Sequence, residues 1–280
     1  MMKMIGVALL AAALGACSDL PESAAPPDSG GGTAIMRAPF APLSAGAYEQ
    51  ASLHFKVSAY GGENAHQISS QAEAFYQSIM TDTNLFSFMP SGLYEIVVYA
   101  DHDEYVAKTR QPAWSGGVAY GNAIYSYNGP QLYQTIAHEM THLVFNEFMA
   151  RSRPDLLWVN EGLAVYEQGK AASGRSVPAE LFAGVSDRMR AQPVTLEEML
   201  AFVPLSEKTD DPNALKVTLW YAQAESMMQF LIERGGRIGF SQFLQALKDG
   251  KSFDEAMSSA YVGVWSSLSA FYQAWRGGPS

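Results

Sequence analysis

The 280-residue chain predicts an α+β fold in which strands and helices alternate and a helical part follows. Three observations carry this. Short runs rich in β-branched and aromatic residues, "SLHFKVSAY" from Ser52 and "YEIVVYA" from Tyr94, read as strands. Between and after them, apolar residues recur at the spacing of one helix face. From Ser176 onward, the patterns are helical. Hydrophobic content of 48% and charged content of 16% belong to a core-forming globular chain rather than a disordered one.

The first segment stands apart from the fold. "MMKMIGVALLAAALGACS" carries one lysine, an apolar run from Ile5 to Ala13, and then small residues. That run is too short to span a bilayer and has the shape of a secretory signal. Cys17, the only cysteine, follows Leu14-Gly15-Ala16, and this resembles a bacterial lipobox whose cysteine becomes the lipidated first residue. A lone thiol cannot form an internal disulfide, which supports lipidation over an ordinary signal cleavage with an incidental cysteine. Residues 1–16 are then the signal peptide. Residues 17–48, opening on "SDLPESAAPPDSGGG", are expected as a flexible tether. In such lipoproteins an aspartate after the cysteine retains the protein at the inner membrane. The residue here is Ser18, so the expected place is the outer membrane of a bacterial cell envelope, facing the periplasm. A net charge of −10 argues against nucleic acid or anionic lipid headgroups as partners.

A core is expected over residues 49–175. After the first strand, "NAHQISSQAEAFYQSIM" places Ile68, Ala72, Phe75 and Ile79 on one helix face, with His66 as a surface histidine. His102, after the second strand, reads as a loop residue. "GGVAYGNAIYSY" reads as one further strand. A helix then opens at Asn128-Gly129-Pro130, proline being a start signal, and carries Leu132, Ile136, Met140, Leu143 and Val144 on its apolar side. A short helix follows from about Trp158, stopped by Gly169. The remainder, 176–280, reads as a helical subdomain. Thr195 and Glu198 form a capping-box pattern there, and a long stripe ends at Gly235-Gly236.

The chemistry sits on the proline-initiated helix. "AHEMTHLVF" holds His138, Glu139 and His142 in the pattern H-E-x-x-H, using two of only five histidines. Residues four apart lie one above the other, so both imidazoles project together, away from the apolar stripe. Glu139 is beside them but turned from direct ligation. Two histidines can bind zinc in this arrangement while the glutamate handles water. The alternative is a surface helix with solvated histidines.

Glu161 lies nineteen residues after His142, within Asn160-Glu161-Gly162-Leu163-Ala164. H-E-x-x-H, eighteen intervening residues and N-E-G-x-A together resemble the gluzincin zinc metallopeptidases. The resemblance covers most of residues 50–240 and implies a zincin-like domain, a mixed sheet with an edge strand over the motif helix. It implies Zn²⁺ held by His138, His142 and Glu161, with Glu139 as catalytic base, acting on a peptide or protein substrate. Asn122, Ala123, Ile124 and Tyr125 resemble the N-A-x-aromatic segment on the edge of thermolysin-like enzymes, which takes extended peptide as an added strand. The aminopeptidase branch carries an upstream G-x-M-E-N segment that is lacking here, which favours an endopeptidase. Tyr221, sixty residues after Glu161, has a spacing similar to that of a transition-state donor in aminopeptidase-type relatives; Tyr166 and Tyr125 are rivals for that role. Val165 stands where thermolysin-like enzymes place an orienting aspartate, so another group must orient the imidazoles. A catalytically inactive binding or assembly lipoprotein with the same fold, and a zinc hydrolase of other amides, are the alternatives.

Overall fold

The computed structural model describes residues 40–151, 153–173, 186–201 and 214–277, so the expected signal peptide and Cys17 lie outside the described residues. The sheet contains β1 (Ala47–Ala51), β2 (Phe55–Tyr60), β3 (Tyr94–Tyr99), β4 (Gly117–Tyr120) and β5 (Ala123–Tyr127). Their order is β1-β2-β3-β5-β4. β2, β3 and β5 run parallel, while β1 and β4 pair antiparallel at the two edges. This is the mixed sheet expected from the sequence.

Side-chain alternation sorts the two faces. Val57, Ile96, Val98 and Ile124 join the main core beneath α1 (Gly62–Thr83) and α3 (Leu132–Met149). Tyr99, Val118, Ala123 and Tyr125 point to the other face, around Tyr105 of α2 (His102–Thr109). His102 therefore opens a helix instead of lying in a loop; Asp101 caps it by accepting from Glu104 N at 2.9 Å.

The stretch expected as one strand is two. Gly121, at φ +62°, and Asn122 form a two-residue turn between Tyr120 and Ala123, which face each other across the β4–β5 pair. A glycine in first place is what such a tight hairpin uses. This corrects the expected edge. Ala123, Ile124 and Tyr125 lie in β5, bonded on both sides by β3 and β4, and Asn122 sits in the turn, donating to Leu93 O at 3.1 Å. Among the described residues the outer strand on this side is β4. The N-terminal boundary also shifts. Residues 40–48, assigned to the tether, are partly anchored on the second face: the Phe40 ring meets Tyr125 edge-on at 4.8 Å, and Tyr99 Oη donates to Ala41 O at 2.8 Å.

A 3₁₀ turn (Pro154–Leu156) leads into α4 (Leu157–Ser173), which does not stop at Gly169. A helical glycine costs about 1 kcal/mol, and tertiary contacts beyond it offset this. Lys170, one residue on, pairs with the buried Asp82 of α1 and reaches Ser78 Oγ at 2.7 Å. The helical part holds α5 (Ser186–Ala191), α6 (Leu196–Ala201), α7 (Ala214–Gly235), α8 (Arg237–Lys248), α9 (Phe253–Ala260) and α10 (Leu268–Gly277). The Thr195 capping box is formed, with Glu198 N donating to Thr195 Oγ1 at 3.2 Å. These helices share one core with the sheet: Trp158, Trp220, Phe240 and Phe271 are all buried in it. Burying each such ring contributes roughly 1.5–3 kcal/mol.

Candidate metal centre

From Thr135 to Phe145, α3 is buried on every side. Its apolar stripe, Ile136, Met140 and Val144, faces the sheet, and α4 covers the side that carries the histidines. His138 and His142 keep only 2% and 3% of their surface, so the alternative of two solvated histidines is excluded.

The three groups read from the motif spacing are brought together. His138 Nε2 and His142 Nε2 lie 3.1 Å apart. Glu161 Oε2, on the first turns of α4, is 3.9 Å from the former and 3.6 Å from the latter. Their ligating atoms all fall within 4.8 Å of one another.

Each imidazole is held from behind by a side-chain amide. His138 Nδ1 faces Gln168 Oε1 at 3.1 Å, and His142 Nδ1 faces Asn160 Oδ1 at 3.0 Å. A carbonyl oxygen can only accept, so both rings carry their proton on Nδ1 and turn their Nε2 lone pairs inward, toward each other. These are the orienting groups that Val165 could not supply. The sequence identified neither in this role: Asn160 stands beside Glu161 in the N-E-G-x-A segment, and Gln168 lies two helical turns beyond it.

Burial favours the neutral form of all three. It lowers the His138 pKa well below the usual histidine value and lowers that of His142 to about 4. Burial, and then the charge of Glu139, push Glu161 up to about 8. Two lone pairs facing each other at 3.1 Å, beside a buried Glu161 Oε2 with no hydrogen-bond partner, repel unless a cation lies between them. Zn–N bonds of about 2.0–2.1 Å at tetrahedral angles place two nitrogens roughly 3.3 Å apart. The residues present fit zinc. A set of two neutral imidazoles and one carboxylate is also the ligand type of catalytic rather than structural zinc.

Glu139 is equally buried, and its Oε2 accepts from Ala119 N of the edge strand β4 at 2.9 Å. The carboxylate thus lies between the metal ligands and the open edge of the sheet. Tyr125 does not reach this centre, because strand alternation turns it to the opposite face, against Phe40. Tyr166 lies on α4 with Lys170 Nζ 5.5 Å from its ring, in the field of Asp82, Glu167 and Glu233. Tyr221 is fully buried on α7. It lies one turn before Ala224, whose carbonyl oxygen sits against Gly162 beside Glu161.

Residues 79–277 match the Peptidase MA superfamily. Among solved structures, native yeast LTA4 hydrolase superposes with a TM-score of 0.51 at 16% sequence identity, over 84% of this chain and 39% of that one. The chain thus spans about two fifths of that structure's length and shares its zincin-like fold. No curated protein sequence matches the chain.

Proposed function

This chain belongs to the Peptidase MA superfamily, and from that premise we propose that it is a zinc-dependent peptidase cleaving internal peptide bonds of a protein substrate in a bacterial cell envelope. The observation that carries the reading is the pair of Nε2 lone pairs beside the unpartnered Glu161 Oε2, with Glu139 immediately adjacent. His138, His142 and Glu161 would hold the zinc. Bound there, it supplies a Lewis acid for the scissile carbonyl and a water of lowered pKa.

The chain's own groups do the rest. Glu139 takes the proton from the attacking water and delivers it to the leaving amine. β4 is the free edge along which an extended peptide can add as a further strand. In the antiparallel β4–β5 pair the outward-facing groups include Ala119, whose N–H already fixes Glu139. An incoming substrate backbone therefore meets the edge at the position of the catalytic carboxylate. Tyr221 would donate to the oxygen that becomes charged in the transition state.

The edge strand here, "GGVAYGN", has no glutamate to hold a substrate's free amine, which supports an endopeptidase. Cys17 and the lipobox-like residues before it support lipid anchoring; Cys17→Ser would remain unprocessed and leave the detergent phase. Among the described residues no helix is long and apolar enough to cross a membrane.

The experiment is a pair of variants assayed with denatured casein. Glu161→Ala should lose most of the zinc. Glu139→Gln should keep it and lose chelator-sensitive cleavage by roughly 10²–10⁴-fold. Zinc bound by wild type with no hydrolysis of any amide would turn the conclusion to the second reading, a binding or assembly lipoprotein that retains the fold.

A further inference from the structure

The α3 face that carries His142 continues toward its C-terminus through Phe145 and Met149, and beyond His142 it is not packed solid. A cavity of about 440 Å³ opens there between α3 and the start of α4, within the range of roughly 300–1,000 Å³ typical of small-molecule sites. Phe145, Met149 and Leu157 form its apolar wall, and Arg151, Arg153 and Asn160 its polar one.

The polar groups are not equivalent. Arg153 is committed: Nε and Nη2 grip the Asp155 carboxylate at 2.9 and 2.6 Å, and Nη1 donates to Leu247 O at 2.9 Å. Arg151 is exposed and donates through Nη2 to Lys248 O at 3.0 Å, with no carboxylate among the described residues in ion-pair range. Its charge is met by a C-terminal carbonyl of α8 and not by a carboxylate, so it can still pair with an anion. Asn160 gives its Oδ1 to His142, which leaves two amide N–H donors on a side chain that lines the cavity. The cavity thus combines a cation, an apolar wall and a pair of amide donors.

We propose that this cavity is a second ligand site, for a short apolar peptide with a free C-terminal carboxylate. The carboxylate pairs with Arg151, the side chain packs on Phe145, Met149 and Leu157, and a backbone carbonyl accepts from Asn160 Nδ2. Because the same amide orients His142, occupancy is felt at the metal ligand; this coupling, unlike the binding itself, rests on the zinc reading. The ligand has the chemistry of a peptidase product, so the site would report product to the metal centre.

The test titrates N-acetyl-Leu-Leu, as free acid and as C-terminal amide, into the full mature chain with and without zinc. The acid should bind saturably in both states, and the amide and Arg151→Ala should each weaken binding by about tenfold, the worth of one charge-assisted contact. Leu157→Trp, which fills the apolar wall, should abolish it. Bound acid should change the rate of zinc loss to a chelator at least severalfold in wild type and not in Leu157→Trp. Equal binding of acid and amide, or wild-type binding by both variants, would overturn the site. Saturable binding that leaves zinc release unchanged would overturn the coupling. A chain that takes up no zinc even without peptide would instead refute the metal reading, and the acid–amide comparison would still decide the site.

Discussion

Gly162→Ala sets two physical effects against each other. Alanine is favoured over glycine in a helix interior by about 1 kcal/mol, so propensity alone predicts a more stable α4. At this position, however, a Cβ would lie 2.5 Å from Ala224 O and 2.8 Å from Ala224 C, both backbone atoms of α7. Restoring an ordinary separation of about 3.5 Å requires ~1 Å of movement between two helices buried in one core. Overpacking of this kind costs about 1–3 kcal/mol. The net expectation is destabilisation of about 0–2 kcal/mol, or a Tm lower by up to several degrees for a domain of this size. The larger effect falls on the neighbour. Glu161 moves with the backbone, and metal sites tolerate about 0.2 Å in ligand distance. Zinc affinity should therefore fall by roughly 10–100-fold, the scale of losing an orienting partner. Thermal unfolding of chelated and zinc-loaded protein, with zinc competition against a chromophoric chelator, separates the two. A variant more stable by ~1 kcal/mol with wild-type zinc affinity would refute the reasoning.

The remaining predictions concern the groups around the metal and a buried acid. Gln168→Leu removes the acceptor behind His138 and should weaken zinc by about 10–100-fold, with Gln168→Glu restoring most of it; equal affinity in Gln168→Leu would show that the ring is held otherwise. Tyr221→Phe should keep fold and zinc and lower kcat by roughly 10–1,000-fold at nearly constant KM; an unchanged kcat would remove Tyr221 from the mechanism. Burial raises the Glu225 pKa from 4.5 to about 8. Its contribution to stability is thus fully present below its unfolded value and is lost as pH rises through about 8. Between about pH 5 and 8, Glu225 should add about 1.4 kcal/mol per unit to the loss of denaturant resistance of wild type, and Glu225→Gln should remove that part of the slope. Parallel profiles for the two proteins would refute this.

Where the fold was legible, local signals and tertiary contacts agreed. "FKVSAY" and "YEIVVY" are alternating or buried strands in any context, and the long helix ending at Gly235 has both its stripe and its stop. Where it was misread, a short-range ambiguity was settled at long range. "GGVAYGNAIYSY" has one continuous strand composition, and Gly121-Asn122 was the turn signal within it. Which half becomes the edge depends on β3, whose residues precede their partners by 28 positions, claiming β5. Gly169 reads as a helix stop, but the ion pair of Lys170 with Asp82 carries α4 past it. "HDEYVAKT" has only eight residues and little apolar content, so periodicity does not mark its helix, although Asp101 is a good N-cap.

The sequence by itself determined the candidate ligand set and pointed to the class of chemistry. The spacing of four on a helix fixes the mutual placement of His138 and His142 by local geometry, and a nineteen-residue step to Glu161 adds the carboxylate. Only the tertiary structure decided what surrounds them. The partners of the imidazoles, Asn160 and Gln168, are uncharged amides whose type announces nothing. They matter because α4 packs on α3 and brings both to Nδ1 atoms. The strand that meets Glu139, the face to which Tyr125 turns and the contact of Gly162 with Ala224 depend on pairings between distant segments. Sequence periodicity cannot specify these, because it states which face is apolar and not what that face will meet.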